Sequence, residues 1–82
     1  MVKTIYASEY AAMLVMLRNK RIDVGMTQAE LAQKMGVSRL FIGRCERGDR
    51  RLDVIELLAF CSALGIEPQK FIAELQKRRQ LR

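Results

Sequence analysis

The sequence predicts an all-α protein, in which five short helices form one compact domain over residues 1–82. Apolar residues recur at helical spacing along the chain. Apart from residues 2–6, no segment of useful length alternates between apolar and polar residues as a half-buried strand would. With 82 residues, half of them hydrophobic and only 6% aromatic, the chain has room for one aliphatic core and not for two domains.

The first predicted helix begins at Ser8 or Glu9 and ends at Val24, where Gly25 follows. Its successive turns carry Met13, Leu14, Leu17, Arg21 and Val24. Residues 1–8 are predicted to form an N-terminal extension.

The second predicted helix starts after Thr27, which forms a capping box with Glu30, and it ends at Gly36. The third starts after Ser38 and runs to about Arg47. Only three residues separate the two helical patterns, so the chain must turn sharply between them.

The fourth predicted helix follows Asp53, which forms a second capping box with Glu56, and it ends at Gly65. Its predicted buried side consists of Leu57, Leu58, Cys61 and Leu64. The fifth has Pro68 in its first turn. Its predicted inward residues are Phe71, Ile72 and Leu75, and the helix is predicted to run on into a basic C-terminal tail at residues 76–82.

The connection between the second and third helices meets the requirements of a helix-turn-helix motif. The close crossing of the helices needs a small residue, which is Ala32, and the turn needs a residue that accepts positive φ, which is Gly36. The apolar wedge between the helices would consist of Leu31, Met35, Val37, Ile42 and Cys45. An ordinary helical hairpin is the alternative, but it would not need all these features in one register.

Two stretches resemble the Cro/repressor-type (XRE) helix-turn-helix family, namely TQAELAQKMGVSRLFIGRCERG and, after one residue, RRLDVIELLAFCSALGI. The resemblance covers about residues 15–72. It implies a five-helix, lambda-repressor-like domain that binds DNA, usually as a symmetric dimer in transcriptional control. We therefore expect a sequence-specific regulator, in particular a repressor, that binds double-stranded DNA at a two-fold operator as a homodimer.

The third helix of such a domain enters the major groove, and its N-terminal residues read base edges. The residues expected to do so are Ser38, Arg39, Leu40 and Arg44. Either arginine is suited to guanine, because a guanidinium donates two hydrogen bonds to O6 and N7. Phe41 is left open between the DNA side and packing against the fourth helix.

Contacts to DNA phosphates are expected at the start of the second helix and after the third. The resemblance assigns this role to Thr27 and Gln28, while Arg47, Arg50 and Arg51 are basic residues at the exposed edge. Simple solvation of this charge run is the alternative. The resemblance also implies an ion pair between Arg21 and Glu46, which would fix the third helix against the first.

The expected dimer interface involves the fifth helix and the loop before it, with Ile66, Phe71, Ile72 and Leu75. The alternative is that these residues only close the core of one chain, and for Phe71 this reading is preferred. An antitoxin, or another interaction module whose main partner is a protein, remains the alternative function.

The composition excludes several other classes of function. The net charge of +6 and the pI of about 9.9 favour polyanionic partners. Histidine is absent, and Cys45 and Cys61 form no CxxC pair, so we expect no metal site, no cofactor and no enzymatic activity. No apolar run approaches the length of a membrane span, and no secretory signal is evident, so we expect a cytoplasmic protein.

Overall fold

The computed structural model describes residues 7–80, with side chains through residue 78, and it consists of five α-helices. They are α1 (Ala7–Asp23), α2 (Gln28–Met35), α3 (Arg39–Arg47), α4 (Val54–Leu64) and α5 (Pro68–Gln80). This confirms the predicted all-α architecture, and there is no strand within residues 7–80. None of the helices in this part of the chain combines the length and apolarity needed to cross a membrane.

The predicted bounds of the first helix need a small correction. The first helix begins at Ala7, slightly before the predicted start, and ends at Asp23, so residues 7 and 8 of the predicted extension belong to α1. The fifth helix runs on into the basic tail as predicted, and α5 ends at Gln80. Residues 1–6 of the extension and 81–82 of the tail lie outside the described part of the chain.

Local hydrogen bonds set the ends of the helices as the sequence predicts. Thr27 and Asp53 form complete capping boxes with Glu30 and Glu56, and the side chain of Ser38 accepts from the backbone N–H of Phe41. These side chains satisfy N–H groups that a helix start leaves without an intrahelical partner. The caps therefore fix where α2, α3 and α4 begin.

The sharp turn between α2 and α3 depends on Gly36, whose φ of 71° lies in the left-handed region. The following N–H of Val37 donates to the carbonyl oxygen of Ala32 at 3.0 Å, as in a Schellman motif. The predicted wedge is present, because Leu31, Ile42 and Cys45 are fully buried and Met35 and Val37 pack against them half-buried. Ala32 is 3% exposed at the same place.

The core extends from this wedge to α1, α4 and α5. Its largest fully buried side chains are Met16, Leu31, Ile42, Cys45, Phe60, Cys61 and Phe71. Both cysteines are free thiols, and burial raises the pKa of each. They therefore act as small core hydrophobes, as expected from the sequence.

The predicted inward faces of α4 and α5 are wrong at one residue each. Leu58 is 43% exposed and Ile72 is 45% exposed, whereas Phe60, which the sequence analysis did not select, is 1% exposed. A helix of this length buries one stripe, and Phe60 falls on the stripe of Leu57 and Leu64. Leu58 and Ile72 each lie one residue, about 100° of helix rotation, past a buried position.

Candidate nucleic-acid interface

The outer face of α3 presents four of the predicted DNA-contacting residues. Ser38 caps the helix, and Arg39, Leu40 and Arg44 are exposed on its surface, while Ile42 lies on the buried side. Leu40 and Arg44 are four residues apart, and therefore on the same helix face. Within residues 7–80, neither the side chain of Arg39 nor that of Arg44 has an ion-pair or hydrogen-bond partner.

Phe41, whose orientation the sequence left open, packs against the core. Its ring is half-buried and lies under the guanidinium of Arg50, whose central carbon is 4.7 Å from the ring centroid. The exposed outer face of α3 therefore includes Arg39, Leu40 and Arg44 but not Phe41.

A buried polar network holds α3 in place. Glu46, in its last turn, accepts from Arg21 Nε at 2.6 Å and from Arg21 Nη2 at 3.0 Å. Arg21 also donates from Nη1 to the carbonyl oxygen of Met26 at 2.8 Å, and Gln28 donates from Nε2 to Glu46 at 2.9 Å. The ion pair expected between Arg21 and Glu46 is thus present, and it also ties in the loop before α2 and the first residue of α2.

The environment keeps the carboxylate of Glu46 ionised. Burial alone would raise the pKa of Glu46, but the hydrogen bonds from Arg21 and Gln28, together with the positive charge of Arg21, outweigh it. The pKa therefore lies below the usual value for a glutamate. No buried side-chain polar atom in the described part of the chain lacks a hydrogen-bond partner.

The residues at the start of α2 retain donors after these internal bonds. Gln28 uses one amide N–H for Glu46, and a primary amide has a second. The hydroxyl of Thr27 accepts from the N–H of Glu30, so its own hydrogen remains available. Both side chains can therefore donate to a phosphate placed at this helix start.

Of the three arginines expected to contact phosphate, Arg50 is already bound within the protein. Its Nη1 lies 2.9 Å from one carboxylate oxygen of Glu56, and Nη2 lies 2.8 Å from the other. It also donates to the carbonyl oxygen of Arg51 at 2.9 Å. The hydrogen bonds raise the pKa of Arg50 and lower that of Glu56. Arg50 therefore braces the loop between α3 and α4, and its contact with a phosphate stays a prediction from the sequence.

The other two arginines, Arg47 at the end of α3 and Arg51 in the loop, make no bidentate pair with a carboxylate among the described residues. Arg47 pairs with Asp49 at 3.0 Å, but both side chains are 60% exposed, and an exposed pair of this kind contributes little and exchanges readily. The guanidinium carbon of Arg51 lies 4.2 Å from the ring centroid of Tyr10. The hydroxyl of Tyr10 also accepts from the backbone N–H of Leu52 at 2.9 Å.

Sequence reasoning missed the role of Tyr10, which it left without a function in the N-terminal segment. The contact joins residues that are 42 positions apart. No local pattern marks a tyrosine in the first turns of a helix as a partner of a distant loop.

The residues expected at a dimer interface differ in accessibility. Phe71 is 1% exposed within the single chain, so it is a core residue and not a candidate for the dimer interface. Ile66 and Leu75 are half-buried against the core. Ile72 is exposed, and α4 also carries exposed apolar side chains, namely Val54, Ile55 and Leu58.

Gly43, inside α3, allows a test of whether the side chains of Arg47 and Gln28 leave room for a methyl group. A Cβ at this position would lie 3.3 Å from Nη1 of Arg47, a flexible side-chain end, and 3.9 Å from Oε1 of Gln28. Gly43→Ala is expected to raise the free energy of unfolding by about 0.5 to 1 kcal/mol, because alanine favours helix. Thermal unfolding followed by circular dichroism measures this, with a midpoint increase of about 2 to 8 °C.

The matched control places the same change in the turn. A Cβ at Gly36 would meet nothing within 4 Å, yet φ there is 71°. Gly36→Ala should therefore lower stability through backbone strain alone, by about 1 kcal/mol or more. A destabilised Gly43→Ala variant would show that Arg47 or Gln28 cannot adjust.

Comparisons with known proteins agree with this geometry. A protein-family model described as Helix-turn-helix matches residues 17–71. A solved XRE-family like protein from Pseudomonas syringae pv. tomato str. DC3000 is 36% identical, with a TM-score of 0.87 and 90% of each chain covered. The chain therefore belongs to the XRE family of helix-turn-helix proteins, a class of DNA-binding transcriptional regulators.

Two further solved structures belong to regulators. A single-residue variant of the restriction–modification controller protein C.Esp1396I, bound to its highest-affinity operator site, is 29% identical with a TM-score of 0.76, over 84% of this chain and 91% of that chain. The clp gene regulator ClgR from C. glutamicum is 30% identical with a TM-score of 0.74, over 84% of this chain and 88% of that chain. A search of curated protein sequences finds no significant match.

Proposed function

We propose that the chain is a cytoplasmic repressor that binds a two-fold operator as a homodimer, with α3 in the major groove of each half-site. The observation that carries this proposal is the outer face of α3, where Arg39 and Arg44 are exposed and unpaired among the described residues. The buried pair of Arg21 and Glu46 holds that face rigid. A rigid helix with free guanidinium groups is suited to direct base readout.

Base recognition would use the first two turns of α3. Arg39 and Arg44 would each donate two hydrogen bonds to a guanine, and the hydroxyl of Ser38 would contact either a base or the neighbouring phosphate. Leu40 is 57% exposed, which is unfavourable in water and is relieved by contact with a thymine methyl group. These four residues would define about one half-site.

Phosphate contacts would fix α3 in the groove from both sides. At the start of α2, the free N–H of Gln28 and the hydroxyl of Thr27 would bind one phosphate together with the helix N-terminus. In the loop after α3, Arg47 and Arg51 would bind another. Binding to the operator would prevent other proteins from occupying it, which is the simplest route to repression.

A two-fold operator requires a dimer that spaces its α3 helices about 34 Å apart. Ile72 is the exposed member of the interface expected from the sequence, and Ile55 and Leu58 of α4 supply further exposed apolar surface. We propose that a second copy of the chain covers these side chains. Removal of apolar surface from water would then supply much of the dimerisation free energy.

Ile72→Asp is expected to weaken the dimer at least tenfold, because it would place a carboxylate in a desolvated interface. Sedimentation equilibrium of the wild type and the variant measures the change in dimer dissociation constant. Ile22→Asp on α1 is the matched control, since Ile22 is 48% exposed and Ile72 is 45% exposed. A wild type that is monomeric at micromolar concentration, or equal effects of the two variants, would contradict the proposed interface.

The operator itself is tested by selection from a pool of random duplexes at near-physiological salt. The wild type is expected to enrich a motif with two-fold symmetry. A variant that combines Arg39→Ala with Arg44→Ala is the control, and it should enrich no motif while it still binds DNA in low salt. Unchanged enrichment by this variant would exclude the outer face of α3 as the reader.

The alternative function, an antitoxin whose main partner is a protein, is favoured by the same exposed apolar side chains of α4. Val54 and Ile55 are 70% and 72% exposed. This alternative predicts that the wild type enriches no DNA motif and binds duplexes only weakly, with strong sensitivity to salt. The selection experiment therefore separates the two functions.

A further inference from the structure

The loop between α3 and α4, residues 48–53, is held in place by two separate side-chain clusters. On one side, Arg50 bonds to both carboxylate oxygens of Glu56 and covers the ring of Phe41. On the other side, Tyr10 of α1 accepts a hydrogen bond from the backbone N–H of Leu52. The loop is thus connected to α1 and to α4 before any ligand binds.

The two clusters leave their arginines in different states. Three of the five N–H groups of Arg50 are directed at Glu56 and at the carbonyl oxygen of Arg51. Arg51 instead lies with its guanidinium over the face of Tyr10, at 4.2 Å, and has no carboxylate partner within residues 7–80. A guanidinium that stacks on a ring keeps its N–H groups in the plane, where they remain able to donate.

We propose that Tyr10 is a positioning residue for DNA binding, which orients Arg51 for contact with a backbone phosphate. Its hydroxyl fixes the backbone of Leu52, and its ring holds the guanidinium of Arg51. This inference rests on the proposed function, because it assigns a partner to Arg51 only if α3 enters the groove.

The physical advantage is preorganisation. A free arginine side chain loses much of its rotamer freedom when it binds a phosphate. If Tyr10 has already ordered it, that loss occurs on folding and not on DNA binding. The phosphate contact then adds more to affinity than the same contact from an unsupported arginine.

A double-mutant cycle with Tyr10→Leu and Arg51→Ala tests the proposal. The probe is a mixed-sequence DNA duplex, and the affinity of each variant for it is measured over a range of salt concentrations. Arg51→Ala should reduce the slope of log affinity against log salt by about 0.9 for each protomer bound. Tyr10→Leu should weaken binding by about 2- to 5-fold for each copy of the contact. In the Arg51→Ala background, Tyr10→Leu should have no further effect on affinity.

A merely structural role of Tyr10 would give a different result. Tyr10→Leu would then weaken DNA binding equally with and without Arg51, and this outcome would overturn the proposal. Thermal unfolding of each variant shows whether it is folded at the temperature of the titration. If Tyr10→Leu does not fold, Tyr10→Phe replaces it and tests the hydroxyl alone, because it keeps the ring over Arg51 and releases Leu52. It should then weaken binding less than expected for Tyr10→Leu and again only when Arg51 is present, and an equal effect without Arg51 would overturn the proposal.

The experiment also separates this inference from the proposed function. Wild-type protein that shows no salt-dependent binding to the duplex would contradict both. Wild-type protein that binds, with additive effects of the two substitutions, would overturn the role of Tyr10 and leave DNA binding intact. Non-additive effects that vanish without Arg51 support the role of Tyr10, and the selection from random duplexes tests the sequence-specific function separately.

Discussion

Replacing Glu46 by alanine is expected to lower the free energy of unfolding by about 3 to 5 kcal/mol. The side chains of Glu46 and Arg21 are 7% and 10% exposed, so the substitution leaves a guanidinium buried with no counter-charge. Arg21 would keep only its bond to the carbonyl oxygen of Met26, and the amide of Gln28 would lose its acceptor. For a domain of this size, such a loss is a large part of the total stability.

Urea unfolding followed by circular dichroism measures this loss. Glu67→Ala is the matched control, because Glu67 and Lys70 form a pair whose side chains are 62% and 82% exposed. An exposed pair contributes at most about 1 kcal/mol, so the control should be nearly neutral. If Glu46→Ala costs no more than Glu67→Ala, the network does not hold α3 as described.

The large cost of the single substitution measures an unpaired charge and not the net value of the ion pair. Replacing both partners by apolar residues of similar volume, as in Arg21→Met with Glu46→Leu, should recover much of the loss. That double variant is still expected to bind DNA more weakly, since Gln28 at the start of α2 loses the acceptor that orients its amide. The double variant would then regain stability but not DNA affinity. That result would show that the network positions Gln28 for DNA binding.

Acid should reveal the same interaction. The pKa of Glu46 is lower in the folded protein than in the unfolded chain, because the hydrogen bonds from Arg21 and Gln28 outweigh the effect of burial. Its contribution to stability is therefore fully present above the unfolded-state value, about 4.3, and is lost as pH falls through the lower folded-state value. As pH is lowered through this range, the free energy of unfolding of the wild type should therefore fall more steeply than that of Glu46→Ala.

Features set by local chemistry could be predicted from the sequence. The capping boxes at Thr27 and Asp53 and the turn at Gly36 depend on residues within a few positions of each other, and all three are present. Their position fixes the length of α2 and the start of α4. The helix-turn-helix follows from them, because the wedge residues can then pack in only one register.

The faces of α4 and α5 could not be predicted as well, since burial there depends on neighbours that are distant in the sequence. Leu58 and Phe60 are both apolar and both compatible with an amphipathic helix. Only the positions of the helices that pack against α4 decide that Phe60 is buried and Leu58 is exposed. The adjacent residues Phe71 and Ile72 on α5 show the same ambiguity.

The loop after α3 shows a similar limit for charged residues. Arg50 and Arg51 are neighbours of the same type, and no local pattern distinguishes their roles. The structure separates them, because Glu56 comes within reach of Arg50 and Tyr10 comes within reach of Arg51. Local composition predicts a basic edge, but tertiary contacts decide which of its guanidinium groups are free.

Arg44→Ala is expected to weaken binding to the selected operator by about 1 to 3 kcal/mol for each half-site. In a repeat of the selection from random duplexes, the enriched motif should lose definition at one symmetric pair of positions. The reason is that alanine leaves the O6 and N7 acceptors of a guanine without their donors, whereas the other bases at that position lose nothing. Affinity for mixed-sequence duplexes should change little.

Arg51→Ala is the matched control for this prediction, because it removes the same charge from a residue assigned to phosphate. It should weaken binding to all sequences alike and leave the enriched motif unchanged. Equal weakening on all sequences by Arg44→Ala would show that Arg44 also contacts only phosphate. Since Arg44 is exposed and has no partner among residues 7–80, its removal leaves no buried group unpaired in the free protein. Any loss of sequence preference in the variant therefore reports a contact that forms on DNA.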